Sequence, residues 1–501
     1  MGIAVLDVGT SSMRGILYTN QGKKQFTRQI SYSPLYLGDG CVEQKPAVWD
    51  NAMAQIMRAC AQKAEEEKEE IDAIALTAQR SSVVPMDKDG YPLGNAVMWQ
   101  DKRNLGVVEE LACSRDQIAR LTGSRPNPVF SGPKMLWIKR NEPERYQKAA
   151  HLAVIPDFLI YQITGTWVTD ATYASRSLLM NLYSRQWDEE LLALLEVDKE
   201  KLSAIIQPGS IAGKVSRTWS QKTGIKQGTP VVSAGGDQQC AALGMGVIET
   251  GSMEVSVGTG AFILAASARV PAGLRDDVIC NASAVPGEYI LESSIPACAS
   301  VFNWVLRLCY GLRDDNREEV YRQVNREIEQ SLQTSDAPLV LPFFQGRGTP
   351  DFNSSARGTI QQLSLGTGRG DLARAVLEGI ACELALNMEI LEGYTGRGDS
   401  LYLCGGLANS PVFCRILSAV CQRQVGVYQD NEATAIGAFI SAAVAMGFYD
   451  NYLQAFCQAR KGQSVQKIQA NQALTESYRS KKEQYQELYK ALYGANRRKD
   501  R

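Results

Sequence analysis

Two short apolar stretches of this chain each run into a Gly-Thr turn, and they lie about 250 residues apart. The first is LDVGTSS at residues 6–12 and the second is MEVSVGTG at residues 253–260. Backbone N–H groups approach an anion closely only where no Cβ intervenes, so such a turn suits a phosphate group. A hairpin turn with a positive φ explains either turn alone equally well. The repetition predicts two related halves that face one ligand.

The second turn follows closely after an acidic residue on another glycine turn. Residues 231–234 form an apolar strand that enters Gly235, Gly236 and then Asp237. This order puts a carboxylate near a turn suited to phosphate. The stretch from residue 233 to residue 262 is therefore the part of the sequence that most strongly indicates an active site.

The first hundred residues alternate strand and helix patterns, which indicates an α/β fold. The pattern predicts a strand at residues 3–6, a hairpin partner at 14–18, an amphipathic helix from Ala47 and a buried strand at 71–77. Ligands of α/β sheets bind beyond the carboxyl ends of strands. Arg80 stands at such an end, where it could bind substrate hydroxyls or serve as a salt-bridge partner.

An aromatic residue and a second diglycine also stand at the ends of predicted strands. Residues 95–99 are predicted to form a strand that ends at Trp99. Trp99 could be a wall of a pocket or part of the core. Further along, a strand enters Gly405 and Gly406, and a helix follows from Pro411. A nucleotide site and a plain tight turn explain this diglycine equally well. The second half is completed by short strand patterns at residues 282–285 and 289–292, by a helix from Asp371 with an apolar residue at every fourth position, and by an amphipathic helix through the last thirty residues.

Composition excludes several classes of protein. The 53 basic and 54 acidic residues nearly cancel, so no global charge favours nucleic acid or an anionic membrane. Twelve cysteines occur without a CxxC pair, which predicts free thiols in a reducing, cytoplasmic setting. The first residues meet an acid at once and read as a strand, not as a signal peptide. The longest uncharged run, residues 433–449, is too short for a membrane span.

Mechanisms that depend on histidine or on a P-loop are also excluded. The only histidine, His151, stands in an apolar stretch and is predicted to be structural. No GxxxxGK[ST] run and no HRD with DFG pattern occurs, so neither a P-loop nor the protein-kinase pattern is present. A nucleotide would have to be bound by the paired glycine turns.

Five phrases in register resemble the FGGY carbohydrate kinases. They are DVGTSSMR at 7–14, GGDQQ at 235–239, VGTGAF at 257–262, ARAVLEGIA at 373–381, and GGLANS at 405–410 followed by ATAIGA at 433–438. The resemblance covers nearly the whole chain. It implies two actin-like (ribonuclease H-like) α/β domains with an interdomain cleft. We expect them at residues 1–246 (sugar binding, first phosphate loop) and 247–501 (ATP binding), because two halves should be comparable in size.

The resemblance also implies roles for individual residues, with ATP and Mg²⁺ as cofactors. Asp237 would be the catalytic base, and Asp7 would help to hold Mg²⁺. The phosphate-handling positions are Thr10, Ser11, Arg14, Gly258 and Thr259, and the adenosine side is formed by Gly405, Gly406 and Asn409. The substrate-binding positions are Gln79, Arg80, Trp99, Asp237, Gln238 and Phe262.

Three departures from the glycerol kinases of this family bear on the substrate. Val8 replaces their Gln, Ser81 replaces the Glu that binds a substrate hydroxyl, and Val129 replaces their Tyr. Losing a buried hydroxyl partner costs a site about 1–3 kcal/mol, which is enough to shift preference. We therefore expect a pentulose of the xylulose type or a related polyol, with glycerol as the alternative.

Two functions other than sugar phosphorylation would require a different set of residues. An actin-like ATPase without sugar transfer would need no polyol pocket, and a sugar-binding regulator would be expected to lack the base or a phosphate loop. The chain has all of these features. We expect a small-molecule sugar or polyol as partner, no nucleic acid and no membrane. A homodimer is left open by the sequence.

Overall fold

The computed structural model describes residues 2–274, 278–333, 337–428 and 432–494. Contacts divide the chain into two compact units. The first unit contains Met1–Ile248, Ala266–Ile290 and Glu432–Gly462, and the second contains Glu249–Ala265, Leu291–Asn431 and Gln463–Arg501. Both units are therefore discontinuous in sequence. The domain division at residue 246 stays a prediction.

The chain up to Ile248 contributes fifteen strands and ten α-helices among the described residues. The strands are β1 (Gly2–Val8), β2 (Ser12–Thr19), β3 (Lys24–Ser31), β4 (Leu35–Gly38), β5 (Cys41–Gln44), β6 (Ile71–Ala78), β7 (Val83–Met86), β8 (Ala96–Val97), β9 (His151–Val154), β10 (Val168–Asp170), β11 (Met180–Asn181), β12 (Gln186–Trp187), β13 (Ala204–Ile206), β14 (Ser210–Lys214) and β15 (Pro230–Gly236). The helices are α1 (Pro46–Glu66), α2 (Leu105–Glu110), α3 (Arg115–Thr122), α4 (Ser131–Asn141), α5 (Pro143–Lys148), α6 (Ile155–Thr164), α7 (Ala171–Ala174), α8 (Glu189–Leu194), α9 (Arg217–Thr223) and α10 (Asp237–Gly244).

From Glu249 onward the described residues form nine further strands and seven α-helices. The strands are β16 (Met253–Val257), β17 (Ala261–Ser267), β18 (Ile279–Ala282), β19 (Tyr289–Ile295), β20 (Leu339–Leu341), β21 (Thr359–Gln361), β22 (Leu401–Cys404), β23 (Val425–Tyr428) and β24 (Val465–Ile468). The helices are α11 (Ala299–Tyr310), α12 (Arg317–Ser331), α13 (Arg369–Thr395), α14 (Pro411–Cys421), α15 (Ala433–Ala445), α16 (Tyr452–Ala459) and α17 (Gln472–Tyr493).

The first unit is built on a six-stranded sheet in the order β14-β15-β6-β1-β2-β3. Strands β1 and β2 form the predicted antiparallel hairpin, and β1, β6 and β15 run parallel to one another. Strand β1 is buried along its whole length, as expected for a parallel strand covered on both faces. Helix α1 is the predicted amphipathic helix, and its apolar face buries Trp49, Met53, Ile56, Met57 and Cys60 in the same core.

A smaller sheet of the first unit follows the order β4-β5-β8-β7-β9. The predicted strand at residues 95–99 is shorter than expected, since β8 covers only Ala96–Val97. Beyond Val97 the backbone leaves the ladder, because the Trp99 N–H donates to Ser82 Oγ at 2.9 Å. His151 begins β9 and stacks on Trp167 with ring centroids 4.2 Å apart.

Helices α10 and α15 cross at two glycines within the first unit. A Cβ on Gly244 would lie 1.9 Å from the carbonyl oxygen of Ala433, and a Cβ on Gly437 would lie 1.8 Å from that of Cys240. No side chain larger than hydrogen fits at either position without moving a helix. The placement of α10 therefore depends on a helix about 200 residues later in the chain.

The segment Ala266–Ile290 contains one correction to the expected strands. A strand was expected at residues 282–285, but β18 ends at Ala282. Residues 283–288 instead form a turn, in which Glu288 N–H donates to the Val285 carbonyl at 3.2 Å. The Ser283 hydroxyl accepts from Val285 N–H at 3.1 Å and so draws the backbone out of the extended conformation.

The second unit contains strands in the order β17-β16-β22-β23-β24 within its main sheet. Strands β16, β22 and β23 are parallel. Helix α13 carries the predicted apolar stripe and is buried from Ala373 to Met388. The predicted amphipathic helix near the end of the chain is α17, which buries Tyr478, Tyr485 and Tyr489.

No helix within the described ranges is both long enough and apolar enough to cross a membrane.

Candidate active site

Three parallel strands of the first unit end together at one edge of the sheet. The register pairs Val8 of β1 with Ala78 of β6, and Ala78 with Gly236 of β15. The residues that follow each strand therefore meet at this edge, where α/β sheets bind ligands. These residues are the Gly9–Ser11 turn, Gln79 with Arg80, and Asp237.

Asp237 is the first residue of α10, and its backbone is fixed by buried side chains. The carbonyl of Gly235 accepts hydrogen bonds from the hydroxyls of Tyr173 and Thr77, each at 2.8 Å. The N–H of Gly236 donates to Thr172 Oγ1 at 2.8 Å. These bonds leave little freedom to the turn that presents Asp237.

A second layer of buried groups supports this turn. The Thr172 hydroxyl donates to Asp170 Oδ1, and the Ser233 hydroxyl donates to Asp170 Oδ2, each at 2.5 Å. Burial raises the pKa of Asp170 to about 6, although these hydrogen bonds lower it. The Tyr173 hydroxyl also accepts from the N–H of Ala78 at 2.9 Å, which ties the turn to the end of β6.

The carboxyl of Asp237 faces Arg80. The Arg80 Nε lies 3.5 Å from Asp237 Oδ1, and 28% of the Asp237 side chain remains exposed. The N–H of Gln238 donates to the same oxygen at 2.8 Å. Burial raises the pKa of Asp237 above its ordinary value, and the positive charge of Arg80 opposes this. Asp237 is thus an accessible carboxyl with increased proton affinity.

Asp7 lies two residues before the first glycine turn. It is 7% exposed, and Arg14 Nη2 donates to its Oδ2 at 2.5 Å. Burial raises the pKa of Asp7, whereas the charge and hydrogen bond of Arg14 lower it. The negative charge of Asp7 also raises the pKa of Asp237, so the two carboxyls are electrostatically coupled.

The Gly9–Ser11 turn is fixed by hydrogen bonds from outside the hairpin. The carbonyl of Gly9 accepts from Tyr32 OH at 2.8 Å and from Gln79 Nε2 at 3.2 Å. Trp99 Nε1 donates to Thr10 Oγ1 at 3.0 Å. Ser11 is exposed at the tip. The side chains of Gln79 and Trp99 therefore brace the turn in this structure.

The predicted substrate-binding residues of the first unit differ in exposure. Gln79 is only 2% exposed, whereas Trp99 is 37% exposed and can form a wall. Ser81 adopts a left-handed backbone with φ of 70°, and its hydroxyl donates to the carbonyl of Arg176 at 3.4 Å. Ser81 thus directs its only donor toward the protein. Gln238 is partly exposed next to Asp237.

In the second unit, two glycine turns follow neighbouring parallel strands. The register pairs Ser256 of β16 with Cys404 of β22, so Gly258 and Gly405 come just beyond the same sheet edge. Gly405 has φ of 89°, and a Cβ there would lie 2.5 Å from the carbonyl oxygen of Val257. This close approach requires glycine.

The remaining predicted residues of the second unit lie at the surface. Gly258, Thr259, Gly406 and Asn409 are exposed. Phe262, on β17, is 40% exposed. Ser410 follows as the N-cap of α14, with its hydroxyl accepting from Phe413 N–H. The structure thus brings Gly258, Thr259 and Gly405 to one edge.

The start of α11 contacts the second glycine turn and was not identified from the sequence. Cys298 N–H donates to the Thr259 carbonyl at 2.8 Å, and Ala299 N–H donates to the Gly258 carbonyl at 3.0 Å. Ser300 Oγ donates to the Thr259 carbonyl at 2.8 Å. The sequence signal was the run of small residues ACAS before an apolar helix, which is too common to indicate a contact about forty residues earlier in the chain.

No cluster of three or more metal-binding side chains occurs in the parts of the chain that the structure describes. The donor set at the first sheet edge is instead Asp7 with Asp237 nearby. Mg²⁺ is usually held by one or two carboxylates together with substrate phosphates and water. The residues present fit an ion of that kind.

Two family models match the chain. The N-terminal domain of the FGGY family of carbohydrate kinases matches residues 2–244, and the C-terminal domain of that family matches residues 253–446. Together the two models span most of the chain and include the glycine turns of both units.

Individual proteins agree with these matches. A glycerol kinase of Thermococcus gammatolerans is 31% identical over 454 residues, covering 89% of this chain and 89% of the relative. One of Solidesulfovibrio magneticus is 31% identical over 463 residues, covering 89% and 90%.

Solved structures share the fold. A xylulose kinase from Rhodospirillum rubrum aligns with a TM-score of 0.91 at 24% identity, covering 99% of both chains. Plasmodium falciparum glycerol kinase with ADP aligns with a TM-score of 0.87 at 25% identity, covering 97% of both. The expected pair of actin-like domains is confirmed as the fold class. The chain belongs to the FGGY family of carbohydrate kinases and is an ATP-dependent phosphotransferase that acts on an alcohol group.

Proposed function

We propose that this kinase transfers the γ-phosphoryl group of ATP to a hydroxyl of a small sugar or polyol, with Asp237 as the catalytic base. The observation that carries this assignment is the Asp237 carboxyl. It stands at the carboxyl edge of three parallel strands, remains partly exposed and faces Arg80. Its backbone is held by Tyr173, Thr77 and Thr172.

The chemistry requires such a carboxylate. A sugar hydroxyl is a poor nucleophile, so a base must orient it and accept its proton as the bond to phosphorus forms. A pKa raised by burial increases the proton affinity of Asp237. Arg80, beside it, can bind a second substrate hydroxyl and keep the base ionised.

The phosphates of ATP are assigned to the glycine turns. In the first unit, Thr10, Ser11 and Arg14 stand at or just after the β1 turn, where the exposed Ser11 hydroxyl and the Arg14 guanidinium can donate to a phosphate. In the second unit, Gly258 and Thr259 leave the backbone open to a phosphate. Gly405, Gly406 and Asn409 are assigned to the adenosine side.

Asp7 is the residue assigned to Mg²⁺. The ion would supply charge neutralisation to the phosphates during transfer. Arg14 holds the Asp7 carboxylate by a single hydrogen bond, which leaves the carboxylate further lone pairs for another ligand. Arg14 in turn has other donors with which to bind phosphate.

A pentulose or related polyol is the first candidate for the acceptor. Ser81 lacks a carboxylate and its hydroxyl donates to the Arg176 carbonyl, so it offers the hydroxyl of a small triol neither a carboxylate nor a free donor. Val129 is smaller than tyrosine and partly exposed. Both features leave room for a longer acceptor. Val8 is fully buried, and its replacement of glutamine removes a polar group from the start of the turn.

Glycerol is the second candidate, and the relatives favour it. Eight glycerol kinases are 29–31% identical over 89% of this chain. These relatives and this chain belong to one family. The residues that support glycerol as the acceptor are Arg80, Trp99 and Asp237, which resemble those of glycerol kinases. The measurement of acceptor preference decides between the two candidates.

The test measures ADP release with Mg-ATP and glycerol, erythritol, ribitol, xylitol, xylulose, ribulose or gluconate, with a control that lacks acceptor. We expect one strong response, and Asp237→Ala should reduce its turnover by about 10²–10⁴-fold. The control variant is Asp116→Ala, because the Asp116 side chain is 99% exposed. Full activity in Asp237→Ala, or ADP release that no acceptor changes, would overturn the proposal.

A further inference from the structure

We propose that Lys134 is a positioning residue for the acceptor site, because its ammonium group holds segment 128–130 against Arg176 and Ser81. This inference rests on the proposed function, since it assigns that segment to acceptor binding. It adds to that function a buried residue that does not itself touch the acceptor but determines which acceptors are used.

Lys134 lies in the first turn of α4 and is fully buried. Its Nζ donates to three consecutive carbonyls, those of Pro128 at 2.5 Å, Val129 at 2.9 Å and Phe130 at 3.3 Å. An ammonium group has three N–H donors, so all of them are used on one short segment. A charge is retained in the interior only where such bonds offset its desolvation.

The segment held by Lys134 is joined to the candidate active site through Arg176. The Arg176 guanidinium lies over the Phe130 ring, 4.6 Å from its centroid. The Arg176 carbonyl accepts from Ser131 N–H at 3.2 Å and from Ser81 Oγ at 3.4 Å. Ser81 directly follows Arg80, which faces the base. A shift of segment 128–130 is therefore transmitted to the acceptor side of Asp237.

Electrostatics connect the same groups. The positive charge of Arg176 lowers the pKa of Asp237. It also lowers the pKa of Lys134, whereas Asp101 raises it. Burial is the largest influence and lowers the pKa of Lys134 to about 7. On losing a proton, the amine keeps two N–H donors for three carbonyls, so the segment is held less firmly as pH rises.

Other contacts of the segment restrict it without replacing Lys134. Asn104 Nδ2 donates to the Pro128 carbonyl at 3.1 Å, and Val129 N–H donates to Asn127 Oδ1 at 3.0 Å. Val129 is partly exposed, whereas Phe130 is buried. The side chain left to meet an acceptor is therefore that of Val129, at the middle of the three carbonyls.

The test compares Lys134→Met with Lys139→Met. Methionine keeps an unbranched side chain, one heavy atom shorter, but removes all donors. Lys139 is on the same helix and bonds Glu196 and Asp198 on another side of α4. We expect Lys134→Met to raise the KM of the best acceptor by about tenfold and to reduce the ratio of kcat/KM between that acceptor and the others, while the KM of ATP changes by less than about twofold. Lys139→Met should leave the acceptor KM, this ratio and the ATP KM unchanged.

A general loss of structure would move both KM values, lower kcat and lower the melting temperature without changing acceptor preference. An unchanged acceptor KM in Lys134→Met, or equal changes in both KM values, overturns the inference. If Lys134→Met does not fold, Lys134→Gln provides the test, because its amide offers two N–H donors to the three carbonyls and no charge. Its acceptor KM should rise while its ATP KM stays constant, and an unchanged acceptor KM overturns the inference.

Failure of the proposed function is distinguishable from failure of this inference. If the proposed function is wrong, the wild-type enzyme shows no acceptor-dependent ADP release. If only the inference about Lys134 is wrong, the wild-type enzyme is active and its acceptor preference is the same as that of the variant without the Lys134 ammonium.

Discussion

Buried carboxyl groups occur in two opposite environments within the second unit. On α13, Glu383 accepts from Arg347 Nε at 2.7 Å and from Tyr485 OH at 2.9 Å, and Glu378 bonds Arg374, Tyr478 and Lys481. On β16, Glu254 is just as buried, yet neither of its oxygens has a hydrogen-bond partner among the described residues.

The difference shows that burial alone does not decide the charge of a carboxyl. The α13 carboxylates are compensated by guanidinium and hydroxyl donors, which favour the charged form. Glu254 has no such partner, and burial raises its pKa to about 8. At neutral pH we therefore expect Glu254 to be protonated. Three variants test this contrast.

The largest effect is expected from removing the cation that compensates Glu383. Arg347→Met leaves a carboxylate buried without its ion-pair partner and should lower the free energy of unfolding by about 3–5 kcal/mol. Urea unfolding at pH 7 measures the change. Arg326→Met, on an exposed position of α12, is the matched control and should shift stability by less than about 0.5 kcal/mol. A loss below about 1 kcal/mol in Arg347→Met would contradict the pairing.

A smaller, pH-dependent effect is expected at Glu254. Its folded pKa is raised above the unfolded value, so its contribution to stability is complete below about 4.5 and is lost as pH rises toward about 8. Glu254→Gln removes this titration. Between pH 6.5 and pH 8.5 the wild type should lose about 2 kcal/mol more stability than Glu254→Gln does.

Urea unfolding at several pH values measures both slopes. Glu249→Gln is the control, since Glu249 is exposed and should keep the wild-type slope. Equal pH dependence of stability in wild type and Glu254→Gln would show that the charged form of Glu254 is stabilised by a partner.

The smallest effect is expected from Tyr485→Phe. The change removes one hydroxyl donor from Glu383 but keeps the ring and the Arg347 pair, so we expect a loss of about 1–2 kcal/mol. Thermal unfolding measures it, and Tyr183→Phe, at a residue that is 60% exposed, serves as the control. A loss as large as that of Arg347→Met would mean that the hydroxyl, not the ion pair, is the main compensation.

The sequence predicted those parts of the molecule that depend on neighbouring residues. Period and turn chemistry located β1, β6, α1 and α13, and the glycines before Asp237, after Val257 and after Cys404 marked strand ends. The roles assigned to Asp237, Asp7 and the glycine turns stay predictions that the arrangement supports.

The parts that the sequence did not predict depend on partners far away in the chain. Tyr173 contacts Gly235, 62 positions later, and Tyr485 contacts Glu383 across 102 positions. A buried tyrosine has the same local pattern whichever group its hydroxyl meets. The three-carbonyl site of Lys134 is local, yet nothing in the spacing distinguishes it from a lysine on an exposed helix face.

The crossing of α10 and α15 also has a consequence for synthesis on the ribosome. Domains generally fold as they emerge, at about 5–20 residues per second. The helix that begins with Asp237 is placed by glycine contacts with residues 433–437 and therefore waits about ten seconds or more for them. During that interval the nascent first unit exposes the surface that α15 later covers. Its final packing is thus delayed until translation has passed most of the second unit.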